Sequence, residues 1–252
     1  MMKSVFERLR ERAGTPSKDF DVADAIAQME KRRQQAEAQQ LGIFERQFKS
    51  HALKNALGGS CIKPIHEGCR LHNYRVYSPA QREVLNFSKV YASEFFNGEV
   101  NPCFVFSGSV GTGKNHLAAA ICLHIMENGG LAKMTTVTEL HQHLRSRCFG
   151  PNAVMSEDEF MENLAKIDLL VIDEVGLQTN SNSQKVFIDQ IINDRTNQRL
   201  PTGIITNLGY DGLNHVLGER IMDRLQMNNG AWKSFDWPSY RTLDFDKTKF
   251  EN

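Results

Sequence analysis

From about residue 100 onward, short apolar runs alternate with longer stretches in which apolar and polar residues mix at helical spacing. Phe104-Val105-Phe106 predicts a strand that runs into a glycine loop, and Asn115 to Met126 predicts the helix behind it. Lys133 to Val137 reads as a strand, Thr138 to Arg147 as a helix and Glu157 to Lys166 as another. Leu169-Leu170-Val171-Ile172 predicts a buried strand, Gln184 to Asn197 a helix and Gly203 to Thr206 a further strand. Strands alternating with helices predict an α/β fold with a parallel sheet flanked by helices. There is no internal repeat.

The first 57 residues follow another pattern. From Asp21 to Leu57 there is no proline and one glycine, Gly42, among many strong helix formers. Val22, Ile26, Met29 and Arg33 fall on one helical face; Leu41, Phe44, Phe48, His51 and Leu53 suggest a second apolar face. Eleven basic and eight acidic side chains leave this part at +3. Helices so polar build little core of their own, which favours docking on a partner. Gly58-Gly59-Ser60 marks a linker. The expected organisation is a helical partner-binding region over 1–57, a linker over 58–75 and a larger α/β domain over 76–252.

Composition adds little beyond excluding some classes. The 252 residues are 40% apolar and 24% charged, with 30 basic and 30 acidic side chains. That is ordinary for a globular protein. With no net charge, any nucleic-acid contact has to be local. Cys61, Cys69, Cys103, Cys122 and Cys148 are odd in number and lack framework spacing, as reduced thiols in a cytoplasm would be. Neither a signal-like apolar start nor a membrane-length apolar run is found.

The chemistry sits at the ends of the apolar runs. Gly108-Ser109-Val110-Gly111-Thr112-Gly113-Lys114-Asn115 follows a strand and opens a helix, the setting of a phosphate-binding P-loop. Its glycines let backbone N–H groups turn inward, and the helix adds its positive end. Lys114 supplies a cation for the β- and γ-phosphates of ATP. Asn115 stands where the general pattern has Ser or Thr for Mg²⁺; it can offer a carbonyl oxygen or act through water. Asp168 to Glu174 reads as a Walker B element, with Asp173 for Mg²⁺ and Glu174 as general base for the attacking water. Asn207 ends the next strand, where its amide can orient that water. Arg220 and Arg224 lie four apart on one helical face, as surface ion-pair partners of Glu219 and Asp223 or as an arginine finger for a neighbouring subunit.

With these elements the chain resembles the DnaC-type bacterial replicative helicase loaders from about Ser60 to Trp237. The resemblance is most specific at Gly111 to Ala120, which includes Asn115 and His116, at Asp168 to Gly176, and at Leu217 to Arg224. It implies an AAA+ ATPase fold with a reduced lid, ATP and Mg²⁺ as ligands, and a weak ATPase regulated by DNA and partner. It implies a hexameric replicative helicase bound through the N-terminal region, single-stranded DNA as a ligand, and side-by-side self-association. Arg224 takes the finger role, Arg220 a supporting one, and Arg241 the place of a sensor-2 arginine. Arg145, Arg147 and Phe149 fall where these loaders touch single-stranded DNA, the arginines for phosphate and the ring for a base. A solvated amphipathic helix is the other reading of that stretch.

Transposition helper ATPases are the alternative family. A small-molecule kinase would not need Glu174, Asn207 and the arginine pair, and an ATP-binding adaptor would not need Glu174. Cys61, His66, Cys69 and His72 invite a zinc reading, but their spacing is not that of paired structural ligands, which favours packing. Tyr74 and Gln81 are placed near the adenine.

Overall fold

Five strands of five residues each build the sheet: β1 (Phe104–Gly108), β2 (Ala132–Thr136), β3 (Leu169–Asp173), β4 (Thr202–Thr206) and β5 (Ala231–Phe235). The computed structural model describes residues 28–34, 36–37, 40, 42, 61–97, 102–151, 153–176, 182–227 and 229–241. All pairings are parallel, in the order β2-β3-β4-β1-β5. Helices cover both faces, so the central strands carry continuous apolar runs at Phe104–Phe106, Leu169–Ile172 and Ile204–Ile205. Phe104 and Phe106 join one core with Leu169 and Val171, while Val105, Leu170 and Ile172 join the other. This is the two-residue alternation of a strand, hidden in the sequence because both faces are buried.

The first core is closed by α1 (Pro79–Glu94) and α2 (Lys114–Glu127). Leu117, Ala118, Ala119, Ala120, Ile121 and Cys122 are all buried, so α2 is apolar nearly all round. The second core lies under α3 (Val137–Leu144), α4 (Glu157–Ala165), α5 (Asn182–Asn197), α6 (Tyr210–Leu217) and α7 (Glu219–Gln226). Thr136 with Glu139 and Ser156 with Glu159 form capping boxes that start α3 and α4. The helix expected to run from Thr138 to Arg147 ends earlier, and a π-helical turn over Arg145–Phe149 follows it.

The sequence pattern does not announce α1, α6 or β5. The α1 stripe of Val84, Leu85, Tyr91 and Ala92 is buried, but Gln81 and Ser88 lie in it and blur the period. β5 is an edge strand whose residues are mostly half-buried, so it carries no apolar run. Among the described residues, nothing helical follows β5. No described helix is long and apolar enough to cross a membrane.

The chain divides into two compact units, residues 1–45 and 46–252. Of the first unit, positions 28–34, 36–37, 40 and 42 are helical, and Arg33 pairs with Glu37 at 2.8 Å. Met29 and Arg33 are exposed; Val22 and Ile26, like Leu41, Phe44, Phe48, His51, Leu53 and Gly58-Gly59-Ser60, lie outside the described residues. Residues 61–75, read as linker, belong to the second unit and pack into it. Cys61, Ile62, Cys69 and Tyr74 are buried, and the Cys61 carbonyl accepts from Met134 N–H on the edge strand β2 at 2.9 Å.

At the N-terminal ends of the strands a guanidinium is buried. Arg195 on α5 is 1% exposed. It donates to the carbonyls of Leu164 (2.7 Å), Ile167 (2.9 Å), Asp168 (3.4 Å) and Pro201 (2.7 Å), and to Thr202 Oγ1 (3.2 Å). Burial pushes its pKa down to about 10, and the nearby Asp168 carboxylate helps to keep it charged. Arg195→Met would strand four carbonyls, and Arg195→Lys cannot reproduce the planar fork. Either variant should lose about 3 kcal/mol or more, seen in urea as a lower midpoint with an unchanged slope.

Candidate nucleotide-binding site

Register brings the loops to one level. Leu170 pairs with Thr202 and Ile172 with Ile204 on one side of β4, and Ser107 pairs with Thr206 on the other. Thr136 pairs with Asp173. The loops after β1, β3 and β4 therefore leave the sheet side by side, at its C-terminal edge, where α/β folds place their ligands. They surround a cavity of about 830 Å³.

The P-loop forms one wall. Gly108, Gly111 and Gly113 have φ of 138°, 80° and 93°, which L side chains rarely adopt. A Cβ on Gly108 would also stand 2.5 Å from the Phe235 carbonyl oxygen, and one on Gly113 would stand 2.7 Å from the Tyr74 ring. The loop is pinned from three sides. The Thr112 carbonyl accepts from the Trp237 indole at 2.9 Å and the Tyr74 hydroxyl at 3.3 Å. The Thr112 hydroxyl donates to Ser109 O at 2.8 Å, and Tyr240 N–H donates to Gly111 O at 2.9 Å. Val110, Gly111, Gly113, Lys114, Asn115 and His116 line the cavity, while buried Thr112 holds the shape of the loop from behind.

Lys114 opens α2 and is 5% exposed. Its ammonium donates to Gly108 O and Ser109 O, both at 2.6 Å. Burial lowers its pKa, and Asp173 opposes that shift. The cation is thus held at the mouth of the loop, ready to exchange carbonyls for phosphate oxygens. Asn115, expected to offer a carbonyl oxygen to Mg²⁺ or to act through water, turns its other amide atom to Asp173. Its amide nitrogen donates to Asp173 Oδ2 at 2.5 Å, because a carboxylate can only accept. The Glu174 N–H donates to Asp173 Oδ1 at 2.8 Å. Burial pushes the Asp173 carboxyl above its ordinary range, and these two donors pull it back. Mg²⁺ takes hard oxygen donors and usually one or two carboxylates beside substrate phosphates. An oriented, half-buried Asp173 facing Lys114 across the cavity fits that ion.

Glu174 has φ of 60°, costly for a residue with a Cβ. The next residue anchors it: Val175 N–H donates to Ile205 O at 3.1 Å, and Thr206 Oγ1 donates to Val175 O at 2.7 Å. Glu174 and Asn207, from adjacent strands β3 and β4, are exposed into the same cavity. Tyr240 and Arg241 reach it from beyond β5, and the Tyr240 hydroxyl donates to Arg75 O at 2.7 Å.

A scan of family models matches residues 66–228 to the IstB-like ATP binding proteins. The replicative helicase loader DnaC of Escherichia coli (strain K12) is 38% identical over 199 residues, 79% of this chain and 80% of that protein. The chain belongs to the DnaC-type family of IstB-like ATP-binding proteins. Its fold follows the crystal structure of the DnaC helicase loader with a TM-score of 0.60 at 24% identity, over 68% of this chain and 99% of that one. DnaI matches with a TM-score of 0.58 at 21% identity, over 71% and 93%. The fold is that of the AAA+ ATPases.

Not every expected residue of this DnaC-type chain joins the cavity. Arg220 and Arg224 do not line it; Arg224 donates to Asn197 Oδ1 on α5 at 3.1 Å. Arg145, Arg147 and Phe149 lie on the π turn, with Phe149 65% exposed and Arg145 beside it at a second, shallower cavity. Gln81, expected near the adenine, does not line the cavity. It serves the start of α1, donating its N–H to Ser78 Oγ and accepting from Tyr77 N–H. Tyr74 does line the cavity, against His116 and Tyr240. Of the zinc candidates, Cys61 and Cys69 are buried, His66 lines the cavity and His72 is exposed. Among the described residues no three His, Cys, Asp or Glu side chains are grouped to hold a metal. Lys63, Thr135, Thr136 and Tyr240 were not singled out, for each is an ordinary residue outside any motif.

Lys114→Ala removes two charge-assisted contacts, so nucleotide affinity should fall about 10- to 100-fold while the far-ultraviolet circular dichroism is kept. Fluorescent ATP-analogue titration measures this, and unchanged affinity would count against the P-loop reading.

Proposed function

We propose that this protein is an ATP-driven loader, which binds a hexameric replicative DNA helicase through its N-terminal region and delivers it to single-stranded DNA in the cytoplasm. The observation that carries the reading is the division of the site. Lys114, Asp173, Glu174 and Asn207 converge on one cavity, while Arg220 and Arg224 stand outside it on α7. A site built this way is completed by a second copy of the chain. Relatives named as replicative helicase loaders, matching over most of both chains, favour this reading over the transposition helper suggested by the IstB-like family.

In this reading, ATP lies with its phosphates along the P-loop and Lys114 on the β- and γ-oxygens. Mg²⁺ at Asp173, when bound, supplies charge for the phosphates; Asn115 keeps the carboxylate aimed. Glu174 accepts the proton of the attacking water and Asn207 orients that water. Arg224 of a neighbouring copy neutralises charge that spreads over the transferring group, with Arg220 in support. Arg241 completes the base and phosphate surround. Phe149, exposed beside Arg145 and Arg147, offers a stacking platform with local positive charge for single-stranded DNA.

The full chain should co-purify with the replicative helicase of its host, and a variant lacking residues 1–57 should bind ATP without retaining the helicase. Retention by the truncated chain would put the contact in the ATPase unit; capture of a transposase instead would favour the other family.

Arg224→Ala alone and Lys114→Ala alone should both hydrolyse ATP poorly. A mixture, with helicase and single-stranded DNA present, should regain turnover, because the intact cavity of one meets the intact arginine of the other. The absence of recovery despite co-assembly would place Arg224 in its own chain's structure.

A further inference from the structure

The arginines outside the cavity rest on α5. They lie four residues apart on α7, so they share a face, and α7 packs on α5. Arg224 Nη1 donates to Asn197 Oδ1, on the last residue of α5. Further up the same helix burial raises the Asp189 carboxyl above its ordinary range, and the charges of Lys185 and then Arg220 oppose that rise. Among the described residues, no ion pair within 4.0 Å joins either arginine to Glu219 or Asp223.

The seat is rigid and neutral. Arg195, two residues before Asn197, is buried and makes five hydrogen bonds, which anchor the last turn of α5 to the turns before β3 and β4. Groups that must be held to a fraction of an ångström belong on such an element. Asn197 is exposed and uncharged. A carboxylate in its place would neutralise the guanidinium; an amide oxygen restricts direction and leaves the whole positive charge for another anion.

We propose that Asn197 is a positioning residue for ATP hydrolysis in the neighbouring chain, aiming Arg224 outward from the pinned end of α5. The proposal rests on the role of Arg224 across the interface given above. It also gives α5 a coupling part: the helix opens at Asn182, soon after Glu174 and Gly176, and closes under the arginine offered to the next copy.

The test is directional and uses full-length chains. In the mixture of Arg224→Ala with Lys114→Ala, the second chain donates the arginine. Asn197→Ala is added to one member at a time, and ATP turnover is measured at concentrations where co-assembly is demonstrated. On the arginine donor it should cut the recovered turnover roughly tenfold, within the hundred-fold that a small misplacement can cost. On the Arg224→Ala member it has no arginine left to aim and the recovered turnover should stay. Thermal melting of each variant shows that the exposed substitution leaves the fold intact. Equal loss in both placements means a structural role and overturns the proposal, as does full turnover in both. Failure of the parent mixture to recover is a separate outcome: it refutes the action of Arg224 in trans, and this proposal falls with it.

Discussion

Arg195 ties together the turn before β3 and the turn before β4, at the end of the sheet away from the nucleotide cavity. A buried guanidinium with only carbonyl and hydroxyl acceptors is expensive to desolvate, and it repays that cost only where several acceptors must be held in one arrangement. Here it holds the starting points of two neighbouring strands. Thr202, the first residue of β4, pairs with Leu170, the second of β3, and that register carried to the ends of the strands brings Glu174 out level with Thr206, with Asn207 next at the rim. A one-residue slip of β4 would reverse which faces its side chains occupy and carry Asn207 away from Glu174. The alignment of the cavity rim is thus set a strand's length away, by a group that does not line the cavity.

The P-loop, the Asp173-Glu174 pair and Asn207 were legible because phosphate chemistry constrains both residue type and its place after a strand. The sheet was legible from Phe104-Val105-Phe106 and Leu169 to Ile172 for a related reason: full burial leaves few alternatives to apolar residues. What escaped notice was set by contacts distant in the chain. Trp237 donates to Thr112 and Tyr240 to Gly111, across more than a hundred residues, and no local pattern announces either. Arg195 reads as one more surface arginine of an amphipathic helix, since arginine is seldom fully buried. Gln81 misled for the opposite reason: a polar residue near a base site is plausible, yet its amide was already committed to starting α1.

Asn115 shows how a departure from a motif is absorbed. A hydroxyl at this position is short and both donates and accepts; the amide reaches across to β3 and donates to Asp173. The side chain that would touch a metal in the general pattern here donates to the Asp173 carboxylate beside it. Glu174, one residue on, is kept in a left-handed backbone by the anchoring of Val175. The Asp173 carboxylate and the Glu174 backbone are therefore both held by protein neighbours, the kind of preorganisation that phosphoryl transfer draws upon.

Residues 61–75 have the composition of a connector but the placement of a wall. Cys61 caps the outer edge of β2, Lys63 pairs with Glu139 at the start of α3, the Arg70 carbonyl meets the His116 ring, and Tyr74 supports the P-loop. A fragment begun at residue 76, where composition alone would cut, would keep the P-loop and the Asp173-Glu174 pair and still lack one side of its nucleotide cavity and the cap on its sheet edge. A nucleotide-binding fragment of this chain has to begin no later than Cys61.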